Sequence, residues 1–84
     1  MAYEVSLTPA ADRAVARLPR AVRQRIAARL VSLAEDPRPP GCVKLTGRDA
    51  YRVRVGDYRI IYAVYDERLI VLVIDVGHRR DVYR

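Results

Sequence analysis

The spacing of apolar residues changes period once along this chain, from helical before residue 36 to alternating after residue 50. The opening Tyr3-Glu-Val-Ser-Leu7 alternates well enough for a short strand. Thr8-Pro9 then has the order of an N-cap followed by proline at the first helical position. Ala11, Ala14, Val15 and Leu18 recur at helical intervals, which predicts a short helix stopping at Pro19. Pro19 in turn opens a second helix, whose Val22, Ile26, Leu30 and Leu33 form one apolar stripe, and Asp36-Pro37 ends it. Such a stripe cannot face water. The two helices are therefore expected to form a hairpin packed against the rest of the chain.

Residues 37–49 are rich in proline and glycine, lack periodicity and read as a connector. Beyond them, Tyr51–Val55, Tyr58–Tyr65 and Arg68–Val76 read as strands joined by turns at Gly56-Asp57 and Asp66-Glu67. The near-continuous apolar run Leu69–Ile74 predicts that the last strand is central and buried on both faces. Gly77 is expected to break it, leaving a basic tail, His78–Arg84. The expected order is β-α-α-β-β-β, an α+β fold with a small, mainly antiparallel sheet covered on one face by the helical hairpin. Nothing repeats or divides the 84 residues, so one domain spanning 1–84 is expected.

Composition narrows the picture. Hydrophobic residues make up 51% of the chain and glycines number only four, which excludes a disordered or low-complexity protein. Phe and Trp are absent and Tyr occurs six times, so every aromatic ring carries a hydroxyl and suits half-wet positions better than a deep core. Cys42 is alone, which rules out an internal disulfide and points to a reducing compartment. No His or second Cys lies near it to share a metal. There is no signal-like N-terminus, and no apolar stretch approaches the roughly 20 residues that span a bilayer. A soluble, cytoplasmic protein is expected.

Sixteen Lys+Arg against ten Asp+Glu give a net charge of +6, and every cation but Lys44 is Arg. That balance implies an anionic partner, either nucleic acid or an acidic protein. Strand alternation concentrates part of the charge. Arg52 and Arg54 point opposite to Tyr51, Val53 and Val55. With a two-residue loop at Gly56-Asp57, Val55 pairs with Tyr58 and Arg54 with Arg59, and cross-strand partners share a face. Arg52, Arg54 and Arg59 then converge on one side, while Val53, Val55, Ile60 and Tyr62 face the helices. Like charges set opposite each other cost up to about 1 kcal/mol per pair, a cost that a bound polyanion reverses. Arginine suits phosphate, because its planar fork donates parallel hydrogen bonds and it stays charged. The plainer alternative is a solvated face whose arginines pair with Asp49, Asp57 or Asp75.

The tail Gly77-His-Arg-Arg-Asp-Val-Tyr-Arg84 gathers the single His, further arginines and a Tyr just past the last strand. His and Tyr can move protons, and Arg can stabilise charge on a reacting phosphate. A frayed basic terminus is the alternative.

Tyr51-Arg-Val-Arg-Val-Gly-Asp-Tyr-Arg-Ile-Ile-Tyr62 followed by Val76-Gly-His-Arg-Arg-Asp-Val-Tyr83 resembles the RelE branch of the RelE/ParE toxin superfamily. The resemblance extends over almost the whole chain. It implies the toxin of a type II toxin–antitoxin pair, a ribosome-dependent endoribonuclease that cuts mRNA in the A site. The message's own 2′-hydroxyl attacks the adjacent phosphate, with no metal or other cofactor. By the same resemblance Arg59, Arg79 and Tyr83 are candidate catalytic residues, with His78 of the tail added to them; the base is then Tyr83, His78 or a group of the ribosome. Arg52, Arg54, Lys44 and Arg80 are the candidate RNA-binding residues. The implied partners are a cognate antitoxin encoded beside this gene, the ribosome and its message, with no membrane and no direct DNA binding by this chain. Two departures stand out. Family members carry Lys where this chain has Arg52 and Arg54, and a guanidinium does not give up its proton, so these two are expected to bind only. The spacing from Gly77 to Tyr83 is also shorter than in some members. The alternative within the superfamily is a ParE-type gyrase inhibitor with the same fold and no nuclease activity.

Overall fold

A computed structural model describes residues 2–78. Strand β1 (Glu4–Leu7) leads into helices α1 (Pro9–Ala16) and α2 (Arg20–Glu35), followed by strands β2 (Val43–Lys44), β3 (Tyr51–Val55), β4 (Tyr58–Tyr65) and β5 (Ile70–His78). The strands lie in one sheet in the order β1-β5-β4-β3-β2. Only the β1–β5 pairing is parallel among those described; the others are antiparallel. Both helices are bounded as their sequences require. Thr8 caps α1, its Oγ accepting from the Ala11 N–H at 3.1 Å, and α2 closes at Asp36.

The core lies between the helices and one face of the sheet. Ile26 and Leu33 of α2 and Ala11 of α1 are fully buried against Val53, Ile60, Tyr62, Val71 and Val73. Ile26, Leu33, Val53, Ile60 and Tyr62 are positions that helical and alternating periods mark as inward, and the apolar area removed from water drives the packing.

Four sequence expectations change. The 37–49 connector contains the two-residue strand β2, whose Val43 and Lys44 pair with Arg52 and Tyr51. The strand buried on both faces is β4, where Ile60, Ile61, Tyr62 and Ala63 are all buried. By contrast, β5 alternates between buried and half-exposed residues from Ile70 to Val73, because its outward Ile70 and Leu72 lie nearer the edge formed by the short β1. Gly77 does not end β5, which continues to His78 in register with Tyr58. Tyr62 is wholly buried rather than half-wet. Its hydroxyl stays satisfied by donating to the Pro37 carbonyl at 2.7 Å, and burial, with Cys42 beside it, pushes its pKa well above that of an ordinary tyrosine.

The connector is tied down at the sheet end away from the Gly56 turn. Arg38 forms a two-pronged ion pair with Asp66 at 2.8 and 3.1 Å, donates to the Tyr51 hydroxyl at 3.0 Å and lies over the Tyr51 ring. Tyr3 also donates to Asp66, at 2.7 Å. Hydrogen bonds from Arg38 first, and from Tyr3, hold the Asp66 carboxyl below its ordinary value of 3.8. A lowered folded-state pKa stabilises the fold above the unfolded value, and the gain is lost as pH falls through the folded value. Urea midpoints of wild type and Asp66→Asn are therefore expected to differ at pH 6 and to converge below about pH 4. A gap that persists undiminished at pH 2.5 would contradict this.

Candidate functional site

The β3–β4 hairpin builds the site. Gly56 takes φ +59° at the first loop position while Asp57 keeps a negative φ, as a type II′ turn requires. A Cβ at Gly56 would also lie 3.0 Å from the Arg25 guanidinium on α2. The two-residue loop sets the register: Val55 pairs with Tyr58, Arg54 with Arg59 and Arg52 with Ile61. Arg52, Arg54 and Arg59 thus share the sheet face away from the helices, as the sequence led us to expect. Cα atoms of directly paired strand residues are about 4.5–5.5 Å apart, so Arg54 and Arg59 are immediate neighbours. Arg54 is exposed, Arg52 is half-buried and Arg59 is only 9% exposed. Among the described residues Arg54 has no acidic partner.

On the other side of β4 the ladder carries a bulge. Tyr62 pairs with Val73 and Ile61 with Asp75, leaving Ile74 as the extra residue. Thr8 holds the bulge: its N–H donates to the Val73 carbonyl and its Oγ to the Ile74 carbonyl, each at 2.9 Å. One side chain therefore caps α1 and fixes β5. Thr8→Ala is expected to destabilise the fold by about 1–2 kcal/mol, the upper part of the range for N-cap loss, measured by urea unfolding. A loss under about 0.5 kcal/mol would show that the bulge does not depend on this hydroxyl.

Past the bulge, Asp75 and Gly77 join the arginine face and Val76 and His78 join the helix side. Gly77 stands opposite Arg59 in the ladder. His78 pairs with Tyr58 and meets its ring edge-on, with centroids 5.5 Å apart. The register therefore does not bring His78 onto the face of Arg59. Arg79, Arg80 and Tyr83 lie outside the described residues.

Beside Arg52 the outer face is hollowed into a groove of about 590 Å³. Val43 and Ile74 contribute apolar surface over the buried Ile61, Lys44, Arg48 and Arg52 contribute cations, and Asp75 contributes a carboxylate. Lys44 thus stands at the same groove as Arg52, although its pairing with Tyr51 gives it the opposite strand parity. Sequence reasoning treated Asp75 only as a salt-bridge partner and did not anticipate the groove. The available signal was one acid interrupting the apolar run of β5.

A family model described as the ParE toxin of type II toxin–antitoxin systems, parDE, matches residues 5–83. The chain belongs to the RelE/ParE toxin superfamily. Among curated relatives, the mRNA interferase toxin RelE of Escherichia coli K12 is 35% identical over 82 residues, covering 94% of this chain and 85% of that protein. The toxin also superposes on solved structures. In the intact E. coli RelBE toxin–antitoxin complex the match has a TM-score of 0.82 at 34% identity, covering 92% of this chain and 96% of that one. In the RelBE2 complex of Mycobacterium tuberculosis the TM-score is 0.86 at 26% identity, covering 96% and 95%. These matches place the toxin on the RelE branch. Among the described residues, no helix is long and apolar enough to cross a membrane.

Proposed function

We propose that this toxin is a ribosome-dependent endoribonuclease of the cytoplasm that cuts mRNA in the ribosomal A site, without a metal. The observation that carries the reading is the Arg54–Arg59 pair on the sheet face away from the helices, in a chain 35% identical to a RelE mRNA interferase. In the reaction the 2′-hydroxyl loses its proton and its oxygen forms a bond to the adjacent phosphorus. The P–O5′ bond breaks, and the 5′ oxygen takes a proton, leaving a 2′,3′-cyclic phosphate and a 5′-hydroxyl end. Charge accumulates on the phosphate oxygens during this exchange. Arg59 and Arg79 are assigned to stabilise it, with Arg59 favoured by its largely desolvated position. Arg52, Arg54, Lys44 and Arg80 hold the message. Proton transfer falls to Tyr83 or His78, and the register that sets His78 beside Tyr58 weighs toward Tyr83.

The inhibitor is a cognate antitoxin, supported by structural relatives solved as toxin–antitoxin complexes. A segment of it, with acidic groups, would cover the basic face. The parDE description of the matching family favours one alternative, a ParE-type gyrase inhibitor. Purified toxin in a translating extract should create new 5′ ends at ribosome-occupied codons. Blocked gyrase supercoiling with intact message would replace this reading with the alternative. Equal cleavage of naked RNA would remove the ribosome requirement.

A further inference from the structure

An acid is the wrong residue with which to grip a phosphate backbone, yet Asp75 sits on the arginine face. Its place there follows from the bulge, which pairs it with Ile61 at the groove beside Arg52. One carboxylate oxygen accepts from the Val76 N–H at 2.9 Å, and the other has no partner among the described residues. The surroundings combine three kinds of surface. Val43 and Ile74 offer apolar area, Lys44, Arg48 and Arg52 offer cations, and Asp75 alone among the lining residues offers a side-chain carboxylate. The volume, about 590 Å³, is in the usual range for a site that encloses a small organic group.

From this arrangement we infer that the groove receives one unstacked base of the message and that Asp75 makes it selective for guanine. The inference rests on the ribonuclease reading, in which the arginine face holds RNA. Single-stranded RNA is read by splaying a base out of the stack and hydrogen-bonding its edge. The base lies on the apolar surface of Val43 and Ile74, and the flanking phosphates meet Lys44, Arg48 and Arg52. A carboxylate only accepts hydrogen bonds. Guanine presents two parallel donors on its Watson–Crick edge, N1–H and the N2 amino group, which match the two oxygens. Adenine and cytosine present a single amino group beside a ring acceptor, which the carboxylate repels. Uracil presents one N–H between two carbonyls. Guanine is therefore bound best and uracil worst.

Asp75→Asn isolates this function, because the amide oxygen can still accept from Val76 while the free oxygen becomes a donor. The probes are hexaribonucleotides of uridine carrying one central G, A, C or U, titrated by fluorescence anisotropy. Wild type should bind the G-containing probe about tenfold more tightly than all-U, in the range expected for a two-pronged base contact. Asp75→Asn should reduce that ratio to about twofold or less while retaining a wild-type circular-dichroism melt. Equal binding of all four probes by wild type would assign the groove to RNA backbone or to a protein segment and overturn the inference. So would an undiminished preference for G in Asp75→Asn. Cleavage mapping in the translating extract separates the two levels. A guanine preference in binding with no message cleavage would sink the ribonuclease reading and leave the base site standing. Cleavage with no base preference in binding would do the reverse.

Discussion

Arg59→Ala is expected to lower the rate of message cleavage by about a hundredfold to a thousandfold, the usual effect of removing a preorganised group at the site of developing charge. The size follows from position. Arg59 is the least exposed of the three arginines on its face, and a charge held away from water acts on a phosphate with far less screening than one on the rim. The exposed Arg54 should behave differently. Arg54→Ala should weaken message binding and its salt dependence more than the cleavage step, as loss of a backbone contact does. Arg59→Lys tests geometry separately, since it keeps the charge and loses the planar fork. It should fall between wild type and alanine. Single-turnover cleavage on stalled ribosomes, with a thermal melt for each variant, gives the comparison. A folded Arg59→Ala protein that cleaves within about threefold of wild type would contradict the charge-stabilising role of about two to three orders of magnitude.

The largest effect on stability is expected at Tyr62. It is the bulkiest of the fully buried side chains and packs among Ile26, Leu33, Val53 and Val73. Tyr62→Ala opens a cavity and leaves the Pro37 carbonyl without its partner, which together should cost about 3–5 kcal/mol. A domain of this length has a total stability of roughly 0.05–0.15 kcal/mol per residue, so the variant should lose a large share of its stability. Tyr62→Phe keeps the ring and its stack on Tyr51 and removes only the hydroxyl. It should cost about 1–3 kcal/mol, the penalty for an unsatisfied buried carbonyl. Urea unfolding of both variants separates packing from hydrogen bonding. If Tyr62→Phe proves as damaging as Tyr62→Ala, the hydroxyl rather than the ring dominates.

The elements that apolar spacing could mark were legible in the sequence. Thr8-Pro9, Pro19 and Asp36-Pro37 bracket the helices because capping and proline chemistry act locally. The Arg54–Arg59 pairing was legible for a similar reason, since a two-residue loop fixes hairpin register within a few residues. Features decided by distant parts of the chain were not. The β2 strand needs only two residues and depends on the free edge of β3. Tyr62 becomes a core residue because Pro37, 25 positions away, supplies an acceptor. Arg38 and Asp66, which pair across 28 positions, carry no local signal. The bulge hides inside an apolar run where either alternation looks plausible, and with it hid the facing of Asp75 and His78.

The same bulge has an evolutionary consequence. Because Ile74 is the residue without a ladder partner, a relative lacking it could pair Val73 and Asp75 with Tyr62 and Ile61 in an unbroken ladder. Core and arginine face would each keep their own side chains. One residue gained or lost elsewhere in the paired part of β5 would instead turn every later side chain over. Position 74 is thus where this lineage can absorb an insertion or deletion in its last strand. A one-residue gap there, in an alignment of such toxins, leaves the two sides of the sheet equivalent.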